Sequence, residues 1–233
     1  MFGKNISEKE KTILAAFSVV AYAAAVLLYF LPADVPYKIS FPTVVISAVS
    51  LRILPWQMSF ALIAAALGDI RGAAGSFMGQ IEFFAVAHLF LIMFFVHRWF
   101  HDRTAFARAG GHHPETKPAR IIVLAAIVVG ILAFAMIRIV SDAPAGVVRG
   151  CVALYAVIIC MMFFCALVQR SRVYAAAAFL FVFSDAVIGW NAFIEPVPGE
   201  KYLIMVPYYS AQLMFFLRAA HFSAAGLFRR RGC

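Results

Sequence analysis

Apolar residues occupy this chain in long uninterrupted blocks, separated by short polar or proline-containing joints. Read for runs that can cross a hydrocarbon core, about 17–25 residues, the pattern predicts eight helices, at roughly 12–31, 39–54, 56–70, 77–96, 121–140, 147–168, 173–193 and 203–222. Period-two alternation does not recur in ten-residue blocks, which argues against a membrane β-barrel. The second and third blocks are the shortest, and only Pro55, beside Arg52, divides them. A tight helical hairpin is the expectation there. One long kinked helix is the competitor, because proline interrupts the helical hydrogen-bond ladder.

Composition agrees with this pattern. The chain is 64% hydrophobic and 13% charged, whereas soluble domains are about half apolar and a quarter charged. The fold class expected is all-α, a polytopic membrane helix bundle of about eight transmembrane helices forming one domain over 1–233. The first block is too long for a signal-peptide core and no small-x-small cleavage site precedes Pro32, so it reads as a retained helix. The polar 97–120 segment, which holds His97, His101, His112 and His113, reads as a solvated connection.

A formal charge of +9 invites a nucleic-acid reading, but the cations sit at block ends and in one loop, as the positive-inside rule expects. Placing the N-terminus inside puts fourteen on the cytoplasmic side: Lys4, Lys9, Lys11, Arg52, Arg98, Arg103, Arg108, Lys117, Arg120, Arg170, Arg172 and Arg229, Arg230 and Arg231. Four fall outside (Lys38, Arg71, Arg149, Lys201), while Arg138 and Arg218 lie within blocks. Both termini are therefore expected in the cytoplasm, with the chain multi-pass in a bacterial inner membrane and no nucleic-acid partner. Cys151, Cys160 and Cys165 share one apolar block, Cys233 stands last, and none forms a CxxC pair, so neither a zinc site nor a disulfide framework is expected.

Against this apolar background a few polar residues stand out. Asp69 and Asp185 lie inside blocks, where a carboxylate costs at least about 2.5–3.5 kcal/mol on insertion scales unless it meets a polar partner or a wet cavity. Counting depth along each block puts Asp69, Asp185, Glu82, Tyr155, Tyr208 and Tyr209 in the outer half, with His88 and Gln212 nearer the centre. Tyr208 and Gln212, four apart, share a helical face, as do Tyr209 and Gln212. Ser184 adjoins Asp185, and Glu82 falls off the His88 face. An outward cavity lined by Asp69, Asp185, His88, Tyr208 and Gln212 is the simplest construction. Plainer readings stand beside it. Asp69 can cap a helix end, Asp185 can pair with Lys38 or Arg138, His88 can be a packing residue, and the two tyrosines can belong to an aromatic belt. A proton-coupled transporter or channel is the rival function for buried acids, and a structural subunit a third.

In order along the chain, Gly68-Asp69, GQIEFFAVAH (Gly79 to His88), FLFVFSDAVIGWNAF (Phe179 to Phe193) and YYSAQ (Tyr208 to Gln212) resemble the YhhN family of lysoplasmalogenases. Lys38 followed by Pro42-Thr43 resembles that family's lysine-proline-threonine element, and Tyr155 with Met161 or Met162 is similar to its sixth-helix pattern. The resemblance implies hydrolysis of the vinyl ether of lysoplasmalogens to a fatty aldehyde and glycerophosphocholine or glycerophosphoethanolamine. In such chemistry a protonated acid delivers a proton to the alkenyl carbon, and an ionised carboxylate steadies the oxocarbenium ion or activates water. Asp185, deeper in its block, is expected as the acid and Asp69 as the base. Lys38 would bind the substrate phosphate, and His88, Tyr155, Ser184, Tyr208, Tyr209 and Gln212 would line the substrate site. The expected partners are a lysophospholipid substrate and membrane lipids. No cofactor or metal is indicated, since His88 is the one histidine placed among the outer-half acids and His221 falls at the opposite end.

Overall fold

The computed structural model describes residues 7–108 and 117–231; the side chains of 8, 103–108 and 222–231 lie outside that description. The described residues form helices without strands: α1 (Glu8–Phe30), α2 (Phe41–Ile53), α3 (Trp56–Ala73), α4 (Phe77–Arg108), α5 (Pro118–Ala135), α6 (Val147–Val168), α7 (Arg172–Phe193) and α8 (Glu200–Arg231). A 3-10 turn, Lys38–Ser40, precedes α2, and a π-helical turn, Met136–Val140, extends α5. By contact the chain divides into two compact units, Met1–Ala87 with Gln212–Cys233, and His88–Ala211.

Six segments are long and apolar enough to cross a membrane among the described residues: Lys9–Phe30, Phe77–Asp102, Pro118–Val140, Val147–Val168, Arg172–Phe193 and Glu200–His221. The two expected spans that fall outside this set are α2 and α3. At about 1.5 Å per residue, the thirteen residues of α2 reach roughly 20 Å against a hydrocarbon core of roughly 30 Å. α3 has the length, but Gln57, Asp69 and Arg71 dilute its apolar character.

In the first unit, α1 opens on a capping box, with Ser7 and Glu10 each satisfying the other's backbone N–H. It closes where the Lys38 ammonium donates to the carbonyls of Leu31 (3.1 Å) and Ala33 (2.6 Å). α2 and α3 are two helices packed against each other rather than one kinked rod. Leu54 and Pro55 are extended (ψ 161° and 143°), and proline also bars the αR conformation to the residue before it. Small residues on α3 allow close approach. A Cβ at Gly68 would lie 2.6 Å from the Phe84 ring of α4, so that contact needs a bare Cα.

The second unit joins the rest of α4 to α5, α6, α7 and the first part of α8. Contacts run from α5 to α6, from α6 to α7, and from the π-helical turn to α7. The expected solvated connection at 97–120 is corrected at its near end, because α4 stays helical through Arg108. Residues 97–108 contain neither glycine nor proline, and Arg98 pairs with Asp102 one turn on (3.5 Å). Polarity there marks where the helix leaves apolar surroundings, not where it ends. His112 and His113 lie outside the described residues, as do Cys233 and the side chains of Arg229 to Arg231.

Replacing Gly68 by alanine is expected to cost about 1–3 kcal/mol through overpacking against Phe84. Gly130→Ala on α5, where a Cβ meets nothing within 4 Å, is expected to be neutral. Thermal unfolding of the detergent-solubilised protein compares the two, and equal midpoints would remove the packing role of Gly68.

Candidate active site

Each unit holds one aspartate with a largely covered carboxylate, and in each case a neighbouring helix supplies a hydroxyl to it. In the first unit Asp69, 2% exposed, sits near the end of α3. Thr43 Oγ1, fully buried on α2, donates to its Oδ2 at 2.6 Å. The same hydroxyl lies 2.9 Å from the Ser40 carbonyl, so one proton faces two acceptors. Tyr22 of α1, also buried, is within electrostatic reach of Asp69. Asp69 is therefore no solvent-facing helix cap.

In the second unit the Tyr155 hydroxyl on α6 donates to Asp185 Oδ2 on α7. His88 of α4, with no exposed side-chain surface, places Nε2 at 3.1 Å from the Tyr155 oxygen and 3.7 Å from Asp185 Oδ2. Tyrosine has one hydroxyl proton and Asp185 receives it, so a neutral His88 ring meets Tyr155 as an Nε2–H donor and keeps Nδ1 as an acceptor. That Nδ1 and Asp185 Oδ1 are both buried with no hydrogen-bond partner among the described residues. Buried polar groups are ordinarily paired, so two open acceptors beside one hydrogen-bonded chain mark a place for a donor. Apolar rings wall it: Phe181 meets His88 edge-on at 4.7 Å between centroids, and Tyr208 meets Phe181 at 5.3 Å.

The expected site residues thus separate by what they touch. His88, Tyr155 and Asp185 form one connected group, with Tyr208 reached through Phe181 and Tyr209 beside Tyr208 (5.5 Å). Ser184 instead ties α7 to α8 by donating to the Ile204 carbonyl at 3.0 Å. Lys38 holds the end of α1, and Arg138 lies over the Trp190 ring, 5.7 Å from its centroid, so the ion pair of Arg138 with Asp185 is not formed. Gln212 is buried, and its Nε2 has no hydrogen-bond partner among the described residues. Thr43, Tyr22 and Phe181 were not among the expected site residues. Thr43 was within reach of sequence reasoning through the α2–α3 hairpin, whereas nothing in the pattern of α1 singles out Tyr22. Among the described residues, no three His, Cys, Asp or Glu side chains gather as metal ligands.

Comparison with known proteins gives three findings. The family model described as the YhhN family matches residues 37–219, most of the chain. Lysoplasmalogenase TMEM86B of Sus scrofa is 45% identical over 40 residues, 17% of this chain and 18% of the relative. Lysoplasmalogenase TMEM86B of Homo sapiens is 38% identical over 68 residues, 29% of this chain and 30% of the relative. The chain thus aligns with less than a third of either relative's length. No solved structure matches the chain.

Thr43→Val and Tyr155→Phe each keep the shape of the side chain and remove the hydroxyl that meets an aspartate. Leaving a buried acceptor short of a donor costs about 1–3 kcal/mol. Both variants are expected to lose stability on that scale in thermal unfolding; wild-type midpoints would show that these contacts hold nothing together.

Proposed function

The chain belongs to the YhhN family, and from that premise we propose that it hydrolyses the vinyl ether bond of lysoplasmalogens. The products would be a fatty aldehyde and a glycerophospholipid headgroup. The single observation that carries the reading is the His88–Tyr155–Asp185 chain, with Asp185 Oδ1 and His88 Nδ1 left open inside apolar helices. An open carboxylate oxygen suits a water molecule as donor, and a water held at Asp185 Oδ1 is the nucleophile that the chemistry needs.

The reaction divides into two steps. A carboxylic acid gives its proton to the alkenyl carbon remote from oxygen, and the adjacent carbon becomes an oxocarbenium ion. Water then adds to that carbon while a carboxylate takes its proton, and the resulting hemiacetal collapses to aldehyde and glycerol hydroxyl. Asp69 and Asp185 are proposed as the two carboxyls, a division of labour like that of paired glycosidase carboxylates. Each carboxyl has one hydroxyl beside it, Thr43 for Asp69 and Tyr155 for Asp185. One of the two is proposed to serve as the acid and the other as the base that steadies the cation and orients water.

The transporter reading has no separate observation in its favour. Partial identity to lysoplasmalogenases of pig and human supports the hydrolase instead.

Asp69→Asn and Asp185→Asn are each expected to lower aldehyde release from purified protein by about 10²–10⁴-fold, the usual weight of general acid or base catalysis. Binding of a saturated ether analogue should persist in both variants. Full turnover in either one removes that aspartate from the chemistry.

A further inference from the structure

The proposed chemistry gives Arg138 nothing to do, yet the fold positions it with some care. After Ala135 the helix widens into the π-helical turn Met136–Val140, a feature that re-aims side chains and recurs at functional sites. Within that turn Arg138 places its guanidinium over the half-buried Trp190 ring, 5.7 Å from the centroid. Phe134 stacks on the same indole at 6.4 Å and 12°. The Trp190 ring N–H donates to Glu195 Oε1 at 3.4 Å. One indole therefore holds a cation at its face and a carboxylate at its edge. Arg138 has no hydrogen bond or ion pair among the described residues, so its fork of N–H donors remains available.

This group lies close to Asp185 within the same unit. Asp185 and Gly189 share one stripe of α7, four residues apart. A Cβ on Gly189 would lie 2.8 Å from Ile139 Cγ2, so the π-helical turn rests on that stripe one helical turn beyond the carboxylate. Trp190 is five residues past Asp185, about 7.5 Å along the axis. A lysophospholipid carries its ether and its phosphate on the two end carbons of a glycerol, a separation of the same order. Lys38, the cation expected from sequence to take the phosphate, is engaged with the carbonyls of Leu31 and Ala33.

Resting on the hydrolase reading, we propose that Arg138, Trp190 and Glu195 form the binding site for the zwitterionic headgroup of a lysophospholipid. The Arg138 guanidinium takes the phosphate, a geometry its planar fork suits. The Glu195 carboxylate takes the choline or ethanolamine cation. The ether then lies one helical turn deeper, at the depth of Asp185.

The test uses full-length protein in detergent and a saturated 1-O-alkyl lysophosphocholine, which has no vinyl ether to hydrolyse, so binding is scored apart from turnover. The chain has three tryptophans, and Trp56→Phe with Trp99→Phe leaves Trp190 emission as the reporter. In that background Arg138→Gln is expected to weaken alkyl lysophosphocholine by about tenfold, the loss of one charge-assisted phosphate contact. Affinity for 1-O-alkylglycerol of the same chain length, which lacks phosphate, stays unchanged. Glu195→Gln weakens alkyl lysophosphocholine but not alkyl lysophosphatidate, which lacks the cation. An equal effect of Arg138→Gln on phosphate-bearing and phosphate-free lipids, or none on either, overturns the site and leaves Arg138 as an interfacial anchor. Displacement of the lipid by inorganic phosphate alone overturns the lipid assignment in favour of a free anion. A protein that shows the expected selectivity yet releases no aldehyde from the alkenyl lipid keeps the headgroup site and loses the hydrolase reading.

Discussion

A carboxylate among apolar helices has to be given hydrogen-bond donors, and this requirement organises both units. Hydrocarbon offers no donors of its own, and the cost of leaving an acid unserved is several times thermal energy. The chain meets the requirement twice, each time with a hydroxyl from an adjacent helix: Thr43 for Asp69 across the α2–α3 hairpin, Tyr155 for Asp185 between α6 and α7. Apolar helix faces slide over one another with little preference in lipid, so such contacts also set register. His88 brings α4 into the same register through Tyr155.

Around the second of these contacts the packing is aromatic. Phe181, Tyr208 and the His88 ring interlock edge-on, so the polar chain runs along an aromatic wall. In a dry wall of this kind a hydrogen bond is electrostatically stronger than in water, and an unserved acceptor is correspondingly costly. That is why the two open acceptors, Asp185 Oδ1 and His88 Nδ1, are costlier to leave unserved than polar groups at the helix ends. Ser184 shows the contrast. It adjoins Asp185 in sequence, but its hydroxyl clasps the Ile204 carbonyl and so serves the fold.

The two units treat their cations differently for equally physical reasons. Lys38 stands where α1 has run out of helix partners, and its flexible ammonium satisfies carbonyls that would otherwise be left open. Arg138 stands in a widened turn, over an indole, where a planar guanidinium can stack and still present donors. Exchanging the two residue types would serve neither place.

Helix existence and membrane character were legible in the chain, because block length and hydropathy are local quantities. The hairpin was legible too, since Pro55 constrains its own backbone and that of Leu54. Polar character inside apolar blocks brought His88, Tyr155 and Asp185 to notice. Which hydroxyl meets which acid was not legible, because rotation about a helix axis and the choice of neighbour are set by packing among all the helices. Hence the carbonyl partners of Ser184 and Lys38, and the place of Thr43 beside Asp69, came only from the fold. The π-helical turn that aims Arg138 at Trp190 leaves no mark in hydropathy at all. A widened turn re-aims the side chains it carries, and its packing against α6 and α7 belongs to the tertiary structure.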